Sequence, residues 1–218
     1  FKSVTETDQE ILIYGGQYIK SLGDLTNLSP TTISLNSATK INNLICHSDK
    51  LINVEVSACT NLQKIDLSNC TNLGTGTGAS TVLDVSSCSE LKYLNIQNTT
   101  LQGVQLNPKG SNIKEVWYPK SIQTISFANC PQLETVGLEE GHSCNELRLV
   151  NCPNVTMFGD RSYSDTYKEY LYLNSKFLNG VQNIYIDASC LSFTEWEMKD
   201  CNKGFTSIVI KNVPNMKK

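Results

Sequence analysis

The stretch LINVEVSACTNLQKIDLSNCTNL, residues 51 to 73, states one apolar pattern twice. The copies place apolar or small residues at Leu51, Val54, Val56, Cys59 and Leu62, and then at Leu62, Ile65, Leu67, Cys70 and Leu73. Two aliphatic residues that are two positions apart predict a short strand with both side chains on one face. The cysteine three positions later predicts a turn packed against that face. The stretch therefore indicates two halves of one coil in a stack of repeats.

The half-coils are regularly spaced along the first part of the chain. They begin at positions 19, 30, 41, 51 and 62, which are 11, 11, 10 and 11 residues apart. Two halves make a coil of 21 to 22 residues, and later coils begin at 91, 113, 133 and 155. Two strands of about five residues, at roughly 3.3 Å per residue, and two turns fill such a coil and leave no room for a helix. We therefore predict a mainly β solenoid with little helix.

The half-repeats SACTNLQKIDLSNCTNL and VLDVSSCSELKYLNIQNTTL carry a resemblance to a known family. They resemble the short, cysteine-containing leucine-rich repeats of internalin-type bacterial surface proteins, and related repeats in structural proteins of phages that infect gut bacteria. The resemblance covers residues 30–158 clearly and 181–213 loosely. It implies a right-handed stack of 21–22-residue coils with capped ends, and a recognition scaffold rather than an enzyme.

We divide the chain into three parts of one continuous domain. Residues 1–29 are predicted to form an N-terminal cap and a first degenerate coil, because the end repeats of a solenoid need covers. Residues 30–158 hold the regular solenoid, and residues 159–218 hold an aromatic loop and degenerate C-terminal coils. The glycine-rich run at 74–80 is predicted to be a surface insertion, because a phosphate-binding loop needs a lysine and a following helix.

The charge balance bears on the partner. Lys plus Arg is 18 against 21 Asp plus Glu, a net charge of −3, and this argues against nucleic acid, which would normally require a clustered basic face. No apolar run approaches the roughly 20 residues of a membrane span. We therefore expect a protein partner or a neighbouring subunit, with no membrane insertion. Glycan-attachment patterns begin at Asn27, Asn69, Asn98 and Asn154, but asparagine is so common here that chance accounts for several.

Nine cysteines are present, and most occupy one phase of the repeat, three residues after an inward aliphatic: Cys59, Cys70, Cys88, Cys130, Cys152 and Cys201. We predict reduced, buried thiols rather than disulfides, since free cysteine is among the most buried residue types. Zinc is disfavoured, because the chain has no C-x-x-C pair and only two histidines. We expect Cys59, Cys88, Cys130 and Cys152 to form one column, with Cys70 on the other edge.

An enzymatic function has little support in the sequence. His47 lies at a predicted strand exit and His142 in an insertion, and neither has a nucleophile at a plausible spacing with a carboxylate behind it. We expect no catalytic residue, cofactor or metal. Since the chain begins at Phe1, we also expect it to be a fragment of a larger protein.

Outward positions of the first-half strands form the candidate partner-binding face: Lys64, Asp66, Tyr93, Asn95, Glu115 and Trp117. Tyr93 and Trp117 are predicted to lie on adjacent strands about 4.8 Å apart, as an exposed aromatic pair of the kind enriched at interfaces. The alternative is that these aromatics only stabilise the sheet, with Trp117 tucked away by the following Pro turn. The sequence leaves both interpretations open.

The tyrosine-rich segment from 159 to 173 is a second candidate, as a recognition loop that contains Arg161, Tyr163 and Tyr167. Its alternative role is a cap over the C-terminal coils. Together the sequence predicts a non-catalytic protein-recognition or assembly module of a larger extracellular, cell-surface or virion protein. A structural phage virion component, associated with the tail or capsid and packed against other subunits, is the alternative.

Overall fold

The computed structural model describes residues 10–12, 18–36, 38–75, 80–107, 109–138, 142–152, 154–155, 157–159, 170–174, 183–187, 195–199 and 207–211. The chain divides into two compact units, Phe1–Asn107 and Pro108–Lys218. The boundary falls in a short interruption of the repeat pattern between two half-coils.

The first unit is built from eight short strands and one 3₁₀ helix, Thr26–Leu28. The strands are β1 (Glu10–Leu12), β2 (Thr32–Ser34), β3 (Asn43–Ile45), β4 (Asn53–Glu55), β5 (Lys64–Asp66), β6 (Val82–Asp84), β7 (Tyr93–Asn95) and β8 (Gly103–Gln105). They pair in parallel as β1-β2-β4, β3-β5-β7 and β6-β8. The strand predicted in the EILIYGG segment is present as β1.

The second unit holds nine strands: β9 (Glu115–Trp117), β10 (Thr124–Ala128), β11 (Thr135–Gly137), β12 (Glu146–Val150), β13 (Met157–Gly159), β14 (Tyr170–Asn174), β15 (Asn183–Asp187), β16 (Glu195–Lys199) and β17 (Ser207–Lys211). They pair in parallel as β9-β11-β13, β10-β12-β15-β17 and β14-β16. β14 confirms the strand predicted around Tyr170.

The strand register reproduces the repeat length of the sequence. Leu44 pairs with Ile65 in the first unit, an offset of 21 residues, and Ile125 pairs with Leu147 in the second, an offset of 22. Parallel pairing of each strand with its equivalent one coil later is the geometry of a β-solenoid. The predicted fold class, a mainly β solenoid with almost no helix, is therefore confirmed.

The core of each unit consists of the inward residues that the period of two selects. The central residue of β3, β5 and β7 is fully buried between two partly exposed neighbours: Leu44, Ile65 and Leu94. In the second unit Val116, Ile125 and Val136 hold the equivalent buried positions. Alternation along each strand thus leaves every second side chain for the outer face.

All seven described cysteines are buried free thiols: Cys46, Cys59, Cys70, Cys88, Cys130, Cys144 and Cys152. The thiols of Cys59 and Cys88 donate to carbonyls of the preceding coil, Leu35 O at 3.4 Å and Val56 O at 3.7 Å. These two form the predicted column within the first unit. Cys190 and Cys201 lie outside the described residues.

The remaining thiols also follow the predicted columns inside their units. The Cys70 thiol donates to the carbonyl of Cys46 at 3.1 Å, on the other edge of the first unit. In the second unit Cys130 and Cys152 follow strands β10 and β12 at the same register, and their thiols neighbour each other. A small thiol with one weak donor fills this turn without leaving a buried polar group unsatisfied.

The turn residue before the cysteine phase is an asparagine with a left-handed backbone. Asn69, Asn98, Asn129 and Asn151 have φ between 52° and 65°, a region that asparagine tolerates better than most residues. Their amides stack between coils, with Asn98 Nδ2 donating to Asn69 Oδ1 at 2.8 Å and Asn151 Nδ2 to Asn129 Oδ1 at 2.7 Å. The abundance of asparagine therefore has a structural role.

Candidate partner-binding face

The outer face of the sheet β3-β5-β7 gathers four of the predicted face residues in the first unit. The register pairs Lys64 with Tyr93 and Asp66 with Asn95, so the four lie in two rows across β5 and β7. All four are partly exposed, because their inward neighbours Ile65 and Leu94 occupy the core. We call these four residues and His47, whose place is given below, the open face.

Lys64 connects the two halves of the open face. Its Nζ lies 5.2 Å from the centroid of the Tyr93 ring and 3.9 Å from Asp66 Oδ2. An ammonium over an aromatic ring is attracted by the ring's quadrupole, by about 0.5–1 kcal/mol at exposed sites. The side chain of Lys64 remains 41% exposed, so the cation is held in place while it still meets solvent.

Asp66 is the fixed anion of the open face. Its Oδ1 accepts a hydrogen bond from Ser68 Oγ at 2.8 Å and lies 3.3 Å from His47 Nε2. Its side chain is only 14% exposed. Since the carboxylate is oriented by both neighbours, it presents one defined arrangement to a partner. Asn95 is oriented similarly, because its Oδ1 accepts the Gln97 N–H at 3.1 Å.

His47 is the member of the open face that the sequence did not indicate. It follows β3, and its backbone N–H donates to Thr26 Oγ1 at 2.9 Å. Asp24, which bridges to Ile45, accepts hydrogen bonds from the Thr26 hydroxyl and backbone N–H. These bonds lower the pKa of Asp24, and the neighbouring His47 lowers it further. The signal was available in the register, because Ile45 pairs with Asp66.

Trp117 does not present an exposed aromatic ring, and this part of the prediction is wrong. Only 4% of the residue is exposed, because its ring lies over Gly137 of the neighbouring strand β11. A Cβ on Gly137 would lie 2.0 Å from Trp117 Cε3, so only glycine leaves room for the indole. The indole N–H donates to a Glu115 carboxylate oxygen. We call Glu115, Trp117 and Gly137 the closed face of the second unit.

The other candidate positions divide between the two units. Tyr93 lies on β7 in the first unit and Trp117 on β9 in the second, so the predicted pair stays a prediction. The recognition-loop residues Arg161, Tyr163 and Tyr167 lie outside the described residues.

The chemistry of the two histidines differs. His142 is buried, and its Nδ1 accepts the backbone N–H of Cys144 at 3.1 Å. His47 contacts Asp66 at the surface. Within the described ranges, no group of three or more His, Cys, Asp or Glu side chains is placed to hold a metal ion. A helix long and apolar enough to cross a bilayer is likewise not found in this part of the chain.

Comparison of the chain with protein-family models, with curated proteins and with solved structures yields no match.

Proposed function

We propose that the chain is a non-catalytic protein-recognition or assembly module, and that the open face of the first unit is its partner-binding surface. The observation that carries this proposal is the position of Lys64, held between the Tyr93 ring and the Asp66 carboxylate while its side chain stays exposed. Such an arrangement joins a cation, an anion and an aromatic ring on one flat sheet.

Rigidity favours binding by this surface. The open face stands on strands whose central residues are fully buried, so its side chains project from a fixed backbone. Ordering a flexible side chain at an interface costs about 0.5–1.5 kcal/mol, and Asp66 and Asn95 are already ordered by hydrogen bonds. A partner would therefore meet a preformed pattern of charge.

The charge pattern defines the partner that fits. Lys64 favours a carboxylate opposite it, and Asp66 with its exposed edge favours an amide or a cation. We infer a protein surface of mixed charge with an apolar group for the Tyr93 ring, since tyrosine is enriched among residues that dominate interface energy. Membership of the leucine-rich-repeat family, and a place in a larger extracellular, cell-surface or virion protein, belong to the same proposal and rest on the repeat motif.

The test is a selection of binders from a displayed library of protein fragments, followed by affinity measurement against surface variants. Lys64→Glu and Tyr93→Ala should each weaken binding of the selected partners at least tenfold. Lys50→Glu is the matched control, because it makes the same charge change at an exposed turn of the same unit, and it should leave binding unchanged.

Two results would contradict the proposal. Binders whose affinity responds to Lys50→Glu but not to Lys64→Glu would move the surface elsewhere. A chain that selects no specific binder, yet hydrolyses a substrate and loses that activity on His47→Gln, would make it an enzyme. If the only partners are neighbouring copies of one assembly, the structural virion component becomes the better description.

A further inference from the structure

The sheet β10-β12-β15-β17 of the second unit carries a second outward surface, which sequence reasoning did not identify. Its centre is a stack in which the Arg148 guanidinium carbon lies 4.8 Å from the centroid of the Tyr185 ring. The two residues are register partners on β12 and β15. Arg148 is exposed and Tyr185 partly exposed, so the stack stands on the surface of the sheet.

Glu146 lies two residues before Arg148 on the same strand and the same outer face, and it is also exposed. Among the described residues, the ion pairs are those of His47 and Lys64 with Asp66, so neither Glu146 nor Arg148 has an ionic partner there. The two Cα atoms are separated by about 6.7 Å along the strand. The surface thus presents one anion and one cation side by side.

Neutral residues surround this charge pair on both neighbouring strands that pair outward. On β10 the outer positions are Thr124 and Ser126, and on β17 they are Ser207 and Val209. These are small side chains, which leave the sheet flat enough to approach another flat surface. A like charge that would repel a partner is absent from these four positions.

We propose that this surface binds a second copy of the chain, face to face and related by a twofold axis. An antiparallel copy of β12 presents its charges in the reverse order, so each Arg148 meets the Glu146 of the other copy. A twofold interface must be self-complementary in this way. The stack on Tyr185 holds the guanidinium flat, with its N–H groups directed outward for a bidentate pair with a carboxylate.

The size of the surface sets the strength of the dimer. Four strands of five residues cover roughly 300 Å² of sheet, well below the roughly 800 Å² per partner of a standard interface. The dimer is therefore weak, with a dissociation constant of about 10–100 µM. It forms at high local concentration, as in an ordered array of copies.

Sedimentation velocity from about 5 µM to about 500 µM tests the proposal, a range that brackets the expected constant. The unaltered chain should dimerise, whereas Glu146→Arg and Arg148→Glu should each raise the dissociation constant at least tenfold. An equimolar mixture of the two variants should restore a dimer, because one chain then carries two cations and the other two anions. Glu134→Arg, at an exposed turn before β11, is the control and should dimerise normally.

A monomer over the whole range, variants that dimerise like the unaltered chain, or a mixture that stays monomeric would each overturn the proposal. Both altered side chains are exposed, and circular dichroism verifies that each variant keeps its strands. If a charge reversal prevents folding, Arg148→Gln and Glu146→Gln carry the test, with at least a threefold weakening expected from each. The surface contains none of the open face, so its failure leaves the proposed function standing.

Discussion

The open face of the first unit and the closed face of the second occupy equivalent positions in their coils but differ in accessibility. At β5 and β7 the outward row pairs Lys64 with Tyr93, and both stay partly exposed. At β9 and β11 it pairs Trp117 with Gly137, and the indole is buried. The difference shows that exposure on a solenoid face depends on the residue at the same position one coil later, as well as on the alternation within a strand.

The largest expected effect separates the two aromatic residues. Trp117→Ala should lower the free energy of unfolding by about 3–5 kcal/mol, as for other buried large aromatics. Tyr93→Ala should lower it by about 1 kcal/mol or less, because the ring is partly exposed and loses mainly its contact with Lys64. Denaturant titration of both variants measures the pair, and equal losses would contradict the assignment of one open and one closed face.

The core beneath the open face should tolerate truncation poorly although the face itself is tolerant. Leu67→Ala should cost about 2–5 kcal/mol, because Leu67 is fully buried and the truncation leaves a cavity. Lys64→Ala, three residues earlier, is the matched control and should cost less than about 1 kcal/mol. A loss below about 1 kcal/mol for Leu67→Ala, again by denaturant titration, would mean that inward and outward positions are interchanged.

Gly137→Ala should close the comparison from the other side. The added Cβ would overlap the indole of Trp117, and overpacking of this kind costs about 1–3 kcal/mol. In the Trp117→Ala background the same change should be nearly neutral, so a double-mutant cycle gives a coupling of similar size. Additive effects would show that the ring and the glycine do not meet. Gly103→Ala serves as the control, because the nearest atom to its Cβ would be Val82 Cγ2 at 3.3 Å.

The smallest expected effect is common to both units and comes from the buried thiols. Burial raises the pKa of Cys59 to about 11, of Cys88 to about 12 and of Cys144 to about 11, from an ordinary value of 9.0. A raised pKa favours the protonated native state, so this stability is complete below pH 9 and is lost as the pH rises through 11 to 12.

At pH 10 each of these thiols should cost about 1 kcal/mol relative to pH 8. Thermal or denaturant unfolding between pH 8 and pH 10.5 measures the slope, and Cys59→Ala should reduce it. If the unaltered chain shows a flat profile in this range, the cysteines are either exposed or already oxidised. A count of free thiols in denaturant, which should find all of Cys59, Cys88 and Cys144 reactive, separates these two cases.

The inward half of the structure could be predicted from the sequence, because it obeys a local rule. The spacing of Ile65 and Leu67, and of Leu94 and Ile96, fixes which side chains enter the core, and all four are fully buried. The repeat length also predicted the register, since the offset between paired strands is the coil length. These properties depend only on neighbours in the same coil and on a constant period.

The outward half depends on residues one coil apart, which the pattern alone does not weigh. Trp117 and Gly137 were both assigned to the outer face, but their contact requires the size of one and the absence of a side chain on the other. His47 was placed at a strand exit, and its partner Asp66 lies 19 residues later. The stacked Asn69 and Asn98 were also missed, although each directly precedes the buried turn residue of its coil.

Hydroxyl-radical footprinting with mass spectrometry tests the central claim most directly, because it reports the solvent exposure of Tyr93 and Trp117 in the same native sample. Indole reacts at least as readily as phenol, so any difference in protection reflects the fold rather than intrinsic reactivity. The structure predicts modification of Tyr93 and strong protection of Trp117, with the protection lost on unfolding. Ready oxidation of Trp117 in the native chain, with Tyr93 protected, would contradict the assignment of the open and closed faces.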